Sequence, residues 1–127
     1  MRPRNEQPTP RVAVCVDTRD GAGRKRLYGV SQYARPHGWR MLLIREGGSC
    51  GAQEVKRLRP DGVIAYIADQ RLVDTTRRLA IPLVDTALGE LDIRLVVCLD
   101  NEAVGRLAAE HLVSLGLANF AYCGVRG

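Results

Sequence analysis

Apolar residues along this chain fall into short continuous runs separated by helix-like stretches and polar turns. Residues 11–17, 95–99 and 117–123 are largely apolar without alternation. Strands covered on both faces have this pattern, whereas strands exposed on one face alternate. Between the last two runs, residues 101–115 place apolar side chains at helical spacing and end at Gly116. The last third of the chain is therefore predicted to be one strand–helix–strand unit of a parallel sheet.

The same alternation of strands and helices precedes this unit. Pro36 and Gly38 are expected to end the first helix, and Pro82 favours an edge position for the strand that follows it. Residues 87–94 are too few for a further helix between two strands. The predicted strands are residues 11–17, 39–44, 63–67 and 83–86, and the predicted helices lie near residues 27–34, 52–58 and 71–79, with a loop at residues 47–49. This order predicts an α/β fold with a doubly wound, mostly parallel sheet flanked by helices.

Composition is consistent with one packed domain that works inside the cell. The chain has 127 residues, of which 46% are apolar, enough for a core without metal or disulfide support. Residues 1–10 contain three prolines and no periodic pattern, so we expect a disordered leader before a domain at residues 11–127. The four cysteines never approach C-x-x-C spacing, which favours reduced thiols. No signal peptide or membrane-spanning run is found, and a cytoplasmic location is expected.

The net charge of +5 raises the question of nucleic acid binding. The basic residues are spread over three different predicted helices instead of forming one continuous track, with close pairs at Arg24 and Arg26, Arg57 and Arg59, and Arg77 and Arg78. Solvated helix surfaces explain this distribution better than a phosphate-binding face. The chain also lacks the spacing of a helix-turn-helix or a zinc finger.

Several short motifs, in this order and at these spacings, carry a resemblance to a known family. They are Gly29-Val30 with Tyr33, residues 61–65 (Asp-Gly-Val-Ile-Ala), residues 81–84 (Ile-Pro-Leu-Val), Asp100-Asn101, His111-Leu112, Gly116 and residues 120–124 (Phe-Ala-Tyr-Cys-Gly). The chain resembles the amino-terminal lobe of the type I periplasmic-binding-protein fold found in LacI-type sugar-sensing repressors. More narrowly, it looks like the xylose-operon regulators of the AraC family. The motifs span nearly all of residues 11–124.

The resemblance implies a function and a set of partners. A LacI-type repressor would carry its DNA reader before the first strand, which here begins at Arg11. The xylose regulators carry it at the carboxyl end, so the chain is expected to be a truncated product or fragment that lacks the second lobe and the DNA-binding domain. The expected function is effector sensing, with a xylose-like sugar as the ligand and DNA reached only through the absent domain. Alone, the lobe is expected to bind xylose very weakly or not at all.

No enzymatic activity, cofactor, metal site or membrane contact is expected. A homodimer through the first helix is a possible further partnership, since Leu27, Val30 and Tyr33 resemble the region that such proteins use in dimer contacts. His111 falls on or beside the apolar stripe of the last helix, and we interpret it as a core or interface histidine rather than a catalytic one.

Polar side chains follow four of the predicted strands and are the candidates for a sugar site. A sugar needs fixed acceptors and donors for its hydroxyls and an aromatic ring for its apolar face. Asp17 is the best acceptor, Arg19 a forked donor and Tyr66 a stacking ring. Because an Asp after a strand commonly begins a turn or caps a helix, each acid has that competing interpretation, and Asp100 or Asn101 is favoured as a helix N-cap. The candidate ligand-binding residues are Asp17, Arg19, Tyr66, Asp69, Asp85 and Asp100.

The main alternative is a Rossmann-like dinucleotide-binding fragment of an oxidoreductase. Gly21 and Gly23 follow the first strand, and Glu46 stands at the end of the second. Four polar residues separate the strand from Gly21, however, and Arg26 takes the place of the third glycine, where a large side chain obstructs helix packing. A phosphoacceptor receiver is disfavoured because no acceptor carboxylate directly ends the third strand and no lysine follows the fifth.

Overall fold

The structure is a computed structural model, and it describes residues 8–45, 50–66, 69–87 and 91–124. The predicted loop at residues 47–49, most of the predicted leader and the candidate Glu46 lie outside these ranges. Within them, none of the helices combines the length and apolar character needed to cross a membrane.

Strands and helices alternate along the described chain until β4, which is followed directly by another strand. The elements are β1 (Arg11–Val16), α1 (Gly21–Ala34), β2 (Arg40–Arg45), α2 (Cys50–Leu58), β3 (Gly62–Ala65), α3 (Gln70–Arg78), β4 (Leu83–Asp85), β5 (Leu95–Val96) and α4 (Asn101–Ser114). Every predicted strand and helix from β1 to β5, and the helix α4, is present. The observed ends of the strands differ from the predicted ends by a few residues at most.

The strands form one parallel sheet in the order β2-β1-β3-β4-β5. β1 lies in the interior of the sheet, since Val14 lies opposite Leu43 of β2 on one side and Ile64 of β3 on the other. The chain first moves outward from β1 to β2 and then crosses back over β1 to β3. With right-handed crossovers, this reversal places α1 on one face of the sheet and α2 and α3 on the other. The predicted α/β, doubly wound parallel sheet is confirmed.

The core lies mainly between the sheet and helices α2 and α3. Alternate residues of β1 and β3 point to this face because side chains alternate along a strand. They form one buried cluster with the inner residues of the two helices, consisting of Ala13, Cys15, Ile44, Val55, Val63, Ala65, Leu72 and Val73. Val14 and Val16 are buried on the opposite face, towards α1.

Helix α1 begins and ends at residues that the sequence marks clearly. Asp20 is its N-cap, and its side chain accepts a hydrogen bond from the Gly23 N–H. The helix ends at Ala34, which is buried, and Gly38 follows in a left-handed conformation with φ of +67°. A residue with positive φ near a helix end favours glycine, which has no Cβ to clash. The predicted end of this helix near Pro36 and Gly38 is confirmed.

The predicted edge position of the fourth strand is wrong. β4 lies between β3 and β5 and pairs with both. Pro82 causes no loss of pairing because the strand begins after it, at Leu83, and the Pro82 carbonyl still accepts a hydrogen bond from the Val63 N–H at 2.9 Å. A proline immediately before a strand is therefore compatible with an interior position.

The predicted strand–helix–strand unit at the end of the chain is only partly formed. β5 is two residues long, α4 is present, and residues 117–124 form neither strand nor helix. None of the residues in α4 is buried. A continuous apolar run indicates that a segment can be buried. Burial also requires another element to pack against, and the described chain has no strand beyond β5.

Candidate functional site

The carboxyl ends of the parallel strands meet at one side of the sheet, which we call the carboxyl edge. The Tyr66 N–H donates to the Cys15 carbonyl at 2.9 Å, and the Thr86 N–H donates to the Ala65 carbonyl at 2.8 Å. These hydrogen bonds hold the carboxyl ends of β1, β3 and β4 side by side, in register. Asp17 follows β1 directly, so Asp17 and Tyr66 lie at neighbouring strand ends. Open α/β sheets bind their ligands at this edge.

Asp17 and Arg19, two of the predicted ligand residues, bind each other. Arg19 donates from Nη2 to Asp17 Oδ2 at 2.5 Å, from Nε to both carboxylate oxygens at 2.9 Å, and from its backbone N–H to Oδ1 at 2.9 Å. The side-chain hydrogen bond from Arg19, followed by the backbone one, lowers the pKa of Asp17 to about 2. Asp17 is therefore an ionised hydrogen-bond acceptor at neutral pH, held in one orientation by a guanidinium.

Replacing Arg19 with glutamine is expected to raise the pKa of Asp17 from about 2 towards its ordinary value of 3.8, because the charged donors to the carboxylate are lost. In the native chain the folded-state pKa lies below the unfolded one. The contact therefore stabilises the fold above about pH 4, and this contribution is lost as the pH falls towards about 2. The NMR shift of the Asp17 carboxyl carbon, followed through this range, measures the pKa. Arg71→Gln removes an exposed arginine of α3 that makes no contribution to the pKa of Asp17 and should leave it unchanged, and a low pKa that persists in Arg19→Gln would contradict the assignment.

The loop between β1 and α1 folds closely back on the end of β1. Gly23 is buried, and a Cβ atom at this position would overlap the backbone carbonyl of Asp17. Asp20 Oδ1 accepts from the Gly23 N–H at 2.5 Å, and Arg24 Nη1 donates to the Thr18 carbonyl at 3.0 Å. The Asp20 carboxylate thus occupies the N-terminus of α1, which is the position where helix N-termini bind phosphate groups.

Tyr66 is covered on one ring face by a residue that the sequence did not single out for this role. The Arg26 guanidinium carbon lies 3.7 Å from the centre of the Tyr66 ring, a cation–π contact between α1 and the end of β3. Arg26 Nη1 is buried and has no hydrogen-bond partner within the described ranges. Stacking of a sugar on Tyr66 stays a prediction, and it concerns the ring face that Arg26 leaves uncovered.

Asp85 ends β4 and points into the interior. It is 1% exposed, and its Oδ1 accepts from the Ala87 N–H at 3.0 Å. The next residue, Thr86, donates from its hydroxyl to the Ala65 carbonyl at 2.8 Å. Asp85 therefore stabilises the turn after β4, and contact with a ligand would require its carboxylate to turn outward.

The last two predicted ligand residues, Asp69 and Asp100, are helix N-caps. Asp69 Oδ1 accepts from the Leu72 N–H at 2.7 Å at the start of α3, and Asp100 Oδ1 accepts from the Ala103 N–H at 2.9 Å at the start of α4. In this structure both acids cap helices, as the competing interpretation from the sequence proposed. Their role as ligand contacts stays a prediction.

The carboxyl edge therefore combines a carboxylate–guanidinium pair with a tyrosine–guanidinium stack. Sequence reasoning identified Asp17, Arg19 and Tyr66 but missed Arg26 and Asp20 as parts of this edge. In the described ranges no three His, Cys, Asp or Glu side chains come together in a group able to hold a metal ion. Comparison with known proteins adds no assignment, since no protein-family model matches the chain and a search of curated proteins returns no match.

Proposed function

We propose that this chain is the first lobe of a sugar-sensing domain of a transcriptional regulator, and that its carboxyl edge forms one wall of the sugar site. The observation that carries the proposal is the pairing of Asp17 with Arg19 beside the stack of Arg26 on Tyr66 at neighbouring strand ends. Together these groups offer an ionised acceptor, guanidinium donors and an aromatic ring. Those are the elements that recognition of a polyhydroxylated ligand requires.

The alternative, a dinucleotide-binding fragment, fits the same sheet less well. A pyrophosphate needs free backbone N–H groups at the start of α1 and room for its own negative charge. Here the Asp20 carboxylate already accepts from the Gly23 N–H. The absence of a side chain at Gly23 serves the close approach of α1 to the Asp17 carbonyl. Both features favour a neutral ligand over a phosphate at this edge.

The regulatory part of the proposal rests on the resemblance to xylose-operon regulators. In such a protein a sugar held between two lobes stabilises the closed arrangement and changes how DNA-binding domains elsewhere in the protein are presented. In this scheme the chain is cytoplasmic, uses no cofactor, catalyses no reaction and contacts DNA only through another domain.

The chain is expected to bind xylose with low affinity, since a single wall covers only part of a ligand. Saturation-transfer NMR, which detects weakly bound ligands, should show transfer from the protein to xylose. Asp17→Asn should reduce that transfer several-fold by weakening the acceptor and its Arg19 partner. Asp92→Asn is the matched control, because Asp92 is also an acid paired with an arginine, Arg77, at 3.2 Å, but precedes β5 at the opposite edge.

Equal transfer in Asp17→Asn and Asp92→Asn would contradict a sugar site at the carboxyl edge. Tighter binding of a nicotinamide dinucleotide than of xylose, lost in Asp17→Asn, would support the oxidoreductase alternative instead.

A further inference from the structure

An open crevice lies between helices α2 and α3. Val55 of α2 and Leu72 of α3 both belong to the main core, so the two helices lie side by side on one face of the sheet. The crevice has a volume of about 300 Å³, a size at which small-molecule sites begin. Its lining residues include Gln53 and Lys56 of α2 and Arg71, Asp74, Thr75 and Arg78 of α3. We call it the α2–α3 crevice.

The crevice carries an excess of positive charge. Lys56, Arg71 and Arg78 are exposed, and among the described residues none of the three forms an ion pair or a side-chain hydrogen bond. The acid that lines the crevice with them, Asp74, accepts a hydrogen bond from Gln70 Nε2 at 2.7 Å. Three cations therefore share one carboxylate, which leaves most of their charge without a partner.

Arginines next to these residues in the sequence are neutralised outside the crevice. Arg57 Nη2 lies 2.6 Å from Glu54 Oε2 in an ion pair, whereas the preceding residue, Lys56, lines the crevice. Arg77 likewise pairs with the carboxylate before β5 at 3.2 Å, whereas the following residue, Arg78, lines the crevice. The sequence shows two runs of adjacent basic residues, and only the fold separates the neutralised member of each from the unpaired one.

The positions of the three cations suit a phosphate group. Arg71 and Arg78 are seven residues apart, so they lie on one side of α3 about two turns from each other, with Thr75 between them. Lys56 faces them from α2. Guanidinium and ammonium groups on two sides supply charge-assisted hydrogen bonds to phosphate oxygens, and Thr75 and Gln53 add a hydroxyl and an amide. Convergence on one small crevice fits a single phosphate group better than the long backbone of a nucleic acid.

We propose that the α2–α3 crevice binds a small metabolite that carries a phosphate monoester. Lys56, Arg71 and Arg78 bind the phosphate oxygens, and the polar side chains between them contact the rest of the ligand. Asp74 repels the phosphate, so its carboxylate limits the affinity. None of these residues is part of the site at the carboxyl edge, so the inference goes beyond the sugar-sensing function and stands or fails separately from it.

A titration of the isotope-labelled full chain with glycerol 3-phosphate, followed by the backbone amide signals in two-dimensional NMR, tests the proposal. Saturable shifts are expected at Gln53, Lys56, Thr75 and Arg78. Glycerol is the matched ligand, because it has the same carbon skeleton without the phosphate, and it should cause no shift at these positions. The ionic strength is held constant throughout, since added salt screens exposed charges.

Substitutions in the crevice should change the affinity in both directions. Lys56→Gln and Arg78→Gln should each raise the dissociation constant for glycerol 3-phosphate about tenfold, because each removes a charge-assisted hydrogen bond. Asp74→Asn should lower this constant several-fold by removing the repelling charge. Arg57→Gln is the matched control, since Arg57 is an exposed arginine of α2 that is paired with Glu54, and it should change the constant by less than about twofold.

The four substituted residues are exposed, so each variant is expected to keep the fold, which its ligand-free amide spectrum checks. Equal dissociation constants for Arg57→Gln and Arg78→Gln would overturn the site, as would the same shifts with glycerol. Shifts that spread over all exposed arginines without saturation would overturn it as well, because they indicate nonspecific attraction. Duplex DNA that displaces glycerol 3-phosphate and binds more tightly would overturn the assignment to a metabolite and identify nucleic acid as the partner.

Discussion

Replacing Gly23 with alanine is expected to lower the free energy of unfolding by about 3 kcal/mol, near the upper end of the usual cost of overpacking. The added methyl group would overlap the Asp17 carbonyl, and that group belongs to the backbone directly after β1. Relief would require α1 to move away from β1. Such a shift would also weaken the hydrogen bond from the Gly23 N–H to Asp20. Urea unfolding followed by circular dichroism measures the change.

Gly29→Ala provides the matched control within the same helix. Among the described residues, no atom outside the helix's own backbone lies within 4 Å of the position that its Cβ would take, so the substitution removes only the backbone flexibility of glycine. A gain of roughly 0.5–1 kcal/mol is expected from helix propensity. Equal effects of the two substitutions would contradict the close approach at Gly23.

Replacing Leu72 with alanine is expected to cost about 3 kcal/mol of stability, the middle of the range for deletion of a buried leucine side chain. Leu72 is 5% exposed and belongs to the cluster between the sheet and helices α2 and α3. Its backbone N–H would still donate to Asp69, so the loss comes from the side chain alone. The same urea unfolding experiment measures it.

Leu99→Ala is the control for this cost. Leu99 is 75% exposed and lies between β5 and α4, outside the core. A change within about 0.5 kcal/mol is expected, as for other exposed positions. A small effect at Leu72, comparable to that at Leu99, would show that α3 does not pack on the sheet as described.

The sequence contains enough information to predict the sheet and helices of the main body. Continuous apolar runs predict strands buried on two faces, and both β1 and β3 lie in the interior of the sheet. Alternation of strands with helices predicts parallel pairing, since parallel neighbours need a crossover between them. These patterns are local, and a single sequence displays them directly. The edge position predicted from Pro82 was wrong because a proline just before a strand removes no hydrogen-bond donor from the strand itself.

The site was less accessible to prediction because its contacts join distant parts of the chain. Arg26 and Tyr66 are forty positions apart in the sequence, and they meet only once α1 lies on the sheet. Gly23 fits the spacing of a phosphate-binding loop, yet its requirement for glycine comes from the Asp17 carbonyl. An acid after a strand has several possible roles. The sequence favours the capping role for Asp100 or Asn101, and Asp100 is the N-cap of α4, but the sequence does not separate the capping residue Asp69 from the ion-paired Asp17.

The end of the chain shows a different limit of sequence patterns. Residues 117–123 have a strand-like apolar pattern and α4 has an apolar side, but among the residues that the structure describes no strand lies beside the segment and none of the α4 residues is buried. A hydrophobic pattern records the environment a segment needs. It does not record which part of a protein supplies that environment.

The most direct test of the sugar site is a titration of the isotope-labelled chain with xylose, followed by the backbone amide signals in two-dimensional NMR. The largest shifts are expected at Asp17, Arg19, Tyr66 and Thr86, all at the carboxyl edge, while Ile81 and Ile93, which lie before the amino ends of β4 and β5, stay unmoved. Shifts centred on Ile81 and Ile93, with Asp17 and Tyr66 unmoved, would contradict the proposed function.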